Sequence, residues 1–115
     1  MINEALMCLA LTMYQEAKGE PVAGQVAVGY VLYRRADFKP DYICSEMKKP
    51  NQFSWYGKIR DPSYIELQPF IILASEIIYH KRQDTSMGAT HFHNFTVKPK
   101  WNMKPRVIIK NHIFY

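Results

Sequence analysis

Apolar residues recur at three- and four-residue steps in the first part of the chain, the spacing of one helical face. The apolar stripe consists of Leu6, Leu9, Ala10, Met13 and Ala17. It predicts a helix from about Glu4 to Lys18, with Asn3 as its N-cap. Gly19 follows and predicts a stop in which the glycine adopts the left-handed conformation.

The helical period resumes after Pro21, a residue that suits the first turn of a helix. It predicts a second helix over Val22–Arg35. Gly24 and Gly29 lie inside this segment, although glycine lowers helix stability by up to about 1 kcal/mol relative to Ala. We interpret them as sites of close packing against the first helix or a substrate.

The middle of the chain carries weaker patterns. A short helix is predicted over Asp41–Lys48, ending before Pro50. Residues Asn51–Gly57 show little periodicity and predict an ordered loop or a short strand. The apolar stretch Tyr64–His80 contains Pro69, which predicts either two pieces or a helix that starts near the proline.

Apolar and polar residues alternate in the last part of the chain, as they do in β-strands. Thr90–Phe95 has this alternation, and Val107–Ile109 and His112–Tyr115 flank Lys110-Asn111, which predicts a strand, a tight turn and a strand. Helices first and a small antiparallel sheet last define an α+β fold. With 115 residues, we expect a single domain over 1–115.

The composition is that of a globular protein, with 48% apolar and 22% charged residues. No apolar run reaches the roughly 18 residues that a membrane span needs, so no stable membrane association is expected. The formal charge is +5, but the basic residues are dispersed and no nucleic-acid-binding motif accompanies them. We expect no nucleic-acid partner, and either a solvated basic face or attraction to an anionic surface such as a bacterial wall.

The two cysteines, Cys8 and Cys44, do not suggest a disulfide framework. Because Cys8 lies within an apolar helical pattern, we interpret it as a small buried hydrophobic residue rather than half of a bridge. Asn3 and Glu4 stand where a secretory signal would carry basic residues. The chain is therefore expected to be made in the cytoplasm without a signal peptide.

One carboxylate, Glu16, lies near the predicted end of the first helix. The negative end of the helix dipole disfavours a charge there, which helps a carboxyl group to keep the proton that a general acid needs. By position alone, an ordinary solvent-facing Glu explains the residue equally well.

His91 and His93 lie two residues apart and point the same way on a strand, so with His112 they suggest a three-histidine metal site. No spacing fixes the third ligand, and hydrogen-bonding residues along a cleft are the simpler interpretation. A metal-dependent hydrolase of this kind would lose activity to a chelator. Asp84-Thr85 predicts a turn or an N-cap.

Several short motifs occur in a fixed order along nearly the whole chain. They are Glu16–Pro21 (EAKGEP), Gly24–Val28 (GQVAV), Gln52–Ser54 (QFS), Asp84-Thr85, Gly88–Asn94 (GATHFHN), Trp101 and His112–Tyr115 (HIFY). Together they resemble the spore-cortex-lytic, cell-wall-hydrolase family typified by the SleB and CwlJ proteins. Any one motif is common, but the opening hexapeptide followed by the others in order is specific.

The resemblance implies a small lysozyme-like fold, related to goose-type lysozymes and lytic transglycosylases. It implies cleavage of the β-1,4 bond between N-acetylmuramic acid and N-acetylglucosamine in peptidoglycan glycan strands, with Glu16 as the catalytic acid. No cofactor or metal is expected, and the protein is expected to act on the wall as a monomer. The predicted substrate-binding residues are Gln52, Phe53, Ser54, Thr90, His91, Phe92, His93 and Trp101. Tyr30 and Trp55 are further aromatic candidates, each more typical of a core.

Three departures from the family pattern concern loop detail. Tyr33 stands where the family often has Asn, Lys110 where it often has Gly, and the proline usual near Asp84-Thr85 is missing. The short chain looks like a phage-encoded or minimal version.

Lytic transglycosylation needs Glu16 alone, whereas hydrolysis by a muramidase would use a second carboxylate, for which Glu20 and Asp84 are candidates. A noncatalytic wall-binding module is the remaining alternative.

Overall fold

The computed structural model describes residues 2–50 and 52–115, which form four helices followed by one three-stranded sheet. The elements are α1 (Ile2–Ala17), α2 (Val22–Arg35), α3 (Pro40–Met47), α4 (Tyr64–Ile78), β1 (Phe92–Asn94), β2 (Val107–Ile109) and β3 (His112–Phe114). Helix α1 packs against all three other helices. The predicted α+β arrangement, with helices first and an antiparallel sheet last, is confirmed.

The two ends of α1 differ from their predictions. The helix already includes Ile2, so Asn3 lies inside it and is not its N-cap. At the other end, Gly19 does not have a positive φ. The Glu20 N–H donates to the Ala17 carbonyl at 2.9 Å, and this tight turn ends the helix without a left-handed residue.

Helix α2 spans the predicted residues and passes close to two neighbours at Gly29. A Cβ atom added there would lie 2.6 Å from Ile77 Cδ1 and 2.9 Å from Met13 Sδ. The glycine therefore lets α2 approach both α1 and α4, which confirms the predicted close packing. Its cost in helix propensity is offset by this contact between three helices.

Helix α4 runs through Pro69 without a break, so the prediction of two pieces, or of a start near Pro69, was wrong. The helix begins with a capping box in which Ser63 and Glu66 exchange hydrogen bonds. Proline removes the bond to the carbonyl of Ile65, and Ile65 is 80% exposed, so this position lies on the solvent side of the helix. None of the helices in the two described ranges is long and apolar enough to cross a membrane.

Cys8 of α1 and Cys44 of α3 form a disulfide, with their Cα atoms 5.4 Å apart. The interpretation of Cys8 as a buried unpaired residue was therefore wrong. Cys8 is half-buried at the side of α1 that faces α3. Periodicity along one helix does not show which element packs beside a given position, so the pairing was not visible in the sequence.

The sheet has the strand order β1-β3-β2, with both pairs antiparallel. In this register Asn94 of β1 lies opposite His112 of β3. The predicted tight turn between β2 and β3 is confirmed, and Lys110 in it has a φ of 47°. This left-handed conformation suits glycine, which explains why Gly is usual at that position in the family that the sequence resembles.

Candidate active site

A cleft of about 540 Å³ lies between the end of α1, the loop after α3 and the strands β1 and β3. Its lining residues are Glu16, Arg35, Gln52, Phe53, Ser54, His91, Phe92, His93, Asn94, Val97, Trp101 and His112. The structure thus brings Glu16 together with every predicted substrate-binding residue except Thr90.

The segment 52–57 consists of turns, in agreement with the predicted loop; Asn51 lies outside the described residues.

Glu16 is half-buried in the last turn of α1 and faces this cleft. Burial raises the pKa of its carboxyl above the ordinary value of 4.5, and this effect exceeds the opposing effect of a hydrogen bond from Trp55. That bond runs from the indole Nε1 to Glu16 Oε2 over 2.6 Å. A carboxyl that keeps its proton at higher pH suits a general acid, and desolvation is the cause of the raised pKa here.

Trp55 is 6% exposed and stacks on Phe53. It is therefore a core residue that orients the Glu16 carboxyl, and it does not line the cleft. Tyr30 is also buried, and its hydroxyl donates to the Arg82 carbonyl. Of the aromatic candidates, only Phe53, Phe92 and Trp101 reach the cleft, and Trp101 is 40% exposed.

The loop side of the cleft is held by a polar cluster. Gln52 accepts a hydrogen bond from Arg35 Nη2 at 2.7 Å and donates from Nε2 to Glu46 Oε2 at 3.2 Å. Lys49 Nζ lies 2.7 Å from the other oxygen of Glu46. The sequence indicated Gln52, but Arg35 was missed because nothing in a helical repeat shows that the end of α2 faces this loop.

The opposite side of the cleft is an aromatic and histidine wall. His93 Nε2 lies 2.7 Å from the Tyr115 hydroxyl, and Trp101 packs edge-on against both His91 and His93. Thr90 is not one of the residues that line the cleft. Its backbone N–H bonds to the Tyr115 carbonyl. Its hydroxyl lies 2.8 Å from His91 Nδ1, so Thr90 supports a lining residue from behind.

Glu20 is not available as a second cleft carboxylate. Its two oxygens accept hydrogen bonds from the backbone and side-chain nitrogens of Asn111, at 3.0 and 2.8 Å. Oε1 also lies 3.5 Å from His112 Nδ1. Glu20 therefore ties the β2–β3 turn to the start of α2.

Asp84 is likewise engaged elsewhere. Its carboxylate accepts from Arg34 Nη2 at 2.5 Å and from the backbone N–H of Ser86 at 2.8 Å. Burial raises the pKa of this carboxyl, but hydrogen bonds from Ser86 and Arg34 outweigh burial and the net pKa is lowered. The predicted turn at Asp84-Thr85 is confirmed, and Arg34 fastens this turn to α2.

The three histidines line one cleft but do not form a metal site. In residues 2–50 and 52–115, no group of three or more His, Cys, Asp or Glu side chains is arranged to hold a metal ion. Burial lowers the pKa of both His91 and His112. Neutral imidazoles at the cleft surface are suited to hydrogen bonding with an uncharged ligand.

We expect Trp55→Phe to move the high-pH limb of the activity profile to higher pH. The indole N–H stabilises the ionised form of Glu16, so its removal raises the pKa of the acid further and preserves the protonated form. A pH series of kcat/KM on purified peptidoglycan measures this, with thermal melting as the check on folding. A shift to lower pH would mean that water entering beside the smaller ring outweighs the lost bond.

A buried acid in an open cleft with polar and aromatic walls defines a class of site suited to a large polar chain such as a glycan. The sequence pattern of the Cell Wall Hydrolase family matches residues 19–115, so the chain belongs to this family. The matched segment begins three residues after Glu16 and includes all other cleft residues. No curated protein and no solved structure matches the chain significantly.

Family membership confirms the resemblance seen in the sequence. It makes the protein a peptidoglycan-degrading enzyme that acts on the bacterial cell wall.

Proposed function

We propose that the protein is a lytic transglycosylase, which cleaves the β-1,4 bond between N-acetylmuramic acid and N-acetylglucosamine with Glu16 as acid and base. The observation that carries this proposal is the position of Glu16, the one carboxyl group among the described residues that line the cleft, held by the Trp55 indole and with its pKa raised by burial. A lysozyme-like relationship of the fold belongs to the same proposal, supported by the order of helices and sheet.

In the proposed mechanism, Glu16 donates its proton to the glycosidic oxygen as the bond from that oxygen to muramic C1 breaks. Positive charge develops at C1, as in other glycosidases. The muramic 6-hydroxyl then attacks C1, and the Glu16 carboxylate accepts the hydroxyl proton. The products are a 1,6-anhydromuramic end and a free N-acetylglucosamine hydroxyl, and Glu16 is protonated again.

The distribution of carboxylates favours this route over hydrolysis. Glu16 is the one carboxylate among the described residues that line the cleft, whereas Glu20 is held by Asn111 and Asp84 by Arg34. An inverting hydrolase would use a second carboxylate about 6.5–9.5 Å from the first to activate water. Attack by a hydroxyl of the substrate itself needs only the group that Glu16 supplies.

The remaining cleft residues fit a glycan strand. Gln52 and His91 present hydrogen-bonding groups suited to sugar hydroxyls and acetamido groups, and Trp101 presents an exposed ring suited to a sugar face. His93 shapes the wall, because both of its ring nitrogens bond to the Asn94 carbonyl and the Tyr115 hydroxyl. The disulfide between α1 and α3 fits a protein that works outside the reducing cytoplasm. We propose a monomeric, wall-acting enzyme of a phage type.

Mass spectrometry of digested peptidoglycan tests the reaction. We expect muropeptides ending in 1,6-anhydromuramic acid, about 18 Da lighter than their hydrolysed equivalents because no water is added. Reducing-end products of full mass would instead show a muramidase. A protein that binds the wall and releases no muropeptide would be a noncatalytic module.

A further inference from the structure

Two adjacent arginines end α2, and they have different surroundings. Arg34 is held by Asp84 and by the Ala89 carbonyl at 2.8 Å, away from the cleft. Arg35 lines the cleft beside Gln52, and its side chain is 33% exposed. Arg34 therefore has a complete structural role, whereas Arg35 brings a permanent positive charge to the wall of the cleft.

The Arg35 guanidinium is held in position with part of its binding capacity free. One nitrogen, Nη2, donates to Gln52. The other, Nη1, makes no hydrogen bond within the described part of the chain. Gln52 is itself fixed by Glu46, whose side chain is only 7% exposed. The guanidinium is thus oriented before any ligand arrives, which lowers the cost of binding one.

The local charge is not balanced. Glu46 lies 3.6 Å from Arg35 Nε but 2.7 Å from Lys49 Nζ, so one buried carboxylate serves two cations. Across the cleft, the charge of Arg35 adds to burial in lowering the pKa of His91. Two cations against one carboxylate leave a surplus of positive charge beside Arg35. Burial raises the pKa of Glu16, the carboxyl group on the described cleft lining, and so disfavours its negative charge.

We propose that Arg35 binds a carboxylate of the peptidoglycan strand and makes the enzyme select carboxylate-bearing glycan. This inference rests on the proposed glycan-cleaving function. Muramic acid carries a lactyl group, and its peptide stem carries free carboxylates, whereas a chitin-like strand carries none. A planar guanidinium with free N–H groups matches a carboxylate in shape and charge.

Binding measured on an inactive background tests the inference without turnover. Glu16→Gln protein is titrated by calorimetry with soluble glycan oligomers of four kinds. The first carries intact peptide stems and the second carries stems whose carboxylates are amidated. The third has lost its stems and exposes free lactyl carboxylates, and the fourth, a chitin-like oligomer, has no carboxylate. We expect added Arg35→Gln to weaken binding of the intact-stem oligomer by roughly 10- to 100-fold, as for loss of a charge-assisted hydrogen bond. Binding of the chitin-like oligomer should not change.

The amidated and stem-free oligomers identify which carboxylate is bound. If Arg35→Gln weakens binding of intact stems but not of amidated stems, a stem carboxylate is the ligand. If it weakens binding only of stem-free glycan, whose lactyl carboxyl is no longer tied in an amide bond to the stem, the lactyl carboxylate is the ligand. Arg60→Gln is the matched control, because Arg60 is exposed outside the cleft and its loss removes the same charge. Arg35→Lys keeps a partner for Glu46 and should lose less affinity, which separates recognition from misfolding.

An equal loss on all four oligomers, or no loss on any, would overturn the role of Arg35. Suppose that wild-type protein releases anhydromuropeptides but Arg35→Gln leaves the binding of all carboxylate-bearing oligomers unchanged. This result would overturn the inference and leave the proposed reaction standing. Wild-type protein that cleaves no peptidoglycan would overturn the proposed function and this inference with it.

Discussion

Glu16→Gln is expected to lower kcat/KM on peptidoglycan about 100- to 10,000-fold, the usual cost of losing a general acid. Gln has nearly the same shape and its carbonyl accepts the Trp55 N–H, so the contact that orients residue 16 is kept. Gln has no proton to donate to the glycosidic oxygen. Turbidity clearance and release of soluble muropeptides by purified protein measure the loss.

The same substitution should not destabilise the protein at neutral pH. Because burial raises the pKa of Glu16 above 4.5, the folded state binds this proton more tightly than the unfolded chain. Stability therefore falls as pH rises from 4.5 through the raised pKa, and Gln removes that loss. We expect a melting temperature at pH 7 equal to or above that of wild type.

Glu4→Gln is the matched control for this experiment, since Glu4 is exposed in the first turn of the same helix and lies outside the cleft. It should retain wild-type lysis. Near wild-type lysis by Glu16→Gln would show that another group is the acid. A large fall in its melting temperature would show that residue 16 is structural.

Loss of the Cys8–Cys44 disulfide should give the largest change in stability. The bridge joins residues separated by 36 positions, for which the chain-entropy relation gives about 3–4 kcal/mol. In a domain of this size we expect the Cys8→Ser, Cys44→Ser protein to melt roughly 10–20 °C lower. Thermal unfolding followed by circular dichroism measures the shift.

Reductant provides the internal control for the bridge. It should lower the melting temperature of wild type toward that of the double-serine protein and leave the latter unchanged. Two thiols that react with a thiol reagent in the folded, unreduced protein would show that the pair is not bonded.

Hydrophobic periodicity predicted most of the helices and strands because it follows directly from which face of each element is buried. It placed α2 at the observed residues and the other helices within a few positions, apart from α4. For α4, the prediction overestimated how strongly Pro69 disrupts a helix. The helix instead begins where Ser63 and Glu66 exchange hydrogen bonds in a capping box. Pro69 follows Ile65, which is 80% exposed, so the proline lies on the solvent side of a helix whose other face is buried.

The sequence by itself determined the family and most of the cleft residues, from Glu16 through Gln52 to His93, because the ordered motifs carry chemical groups whose identity does not depend on packing. Tertiary structure alone decided what surrounds those groups. The Trp55 bond to Glu16, the approach of Arg35 to Gln52 and the Cys8–Cys44 bridge join residues 39, 17 and 36 positions apart. Such contacts arise where separate elements meet, and a pattern along one element holds no information about its neighbour.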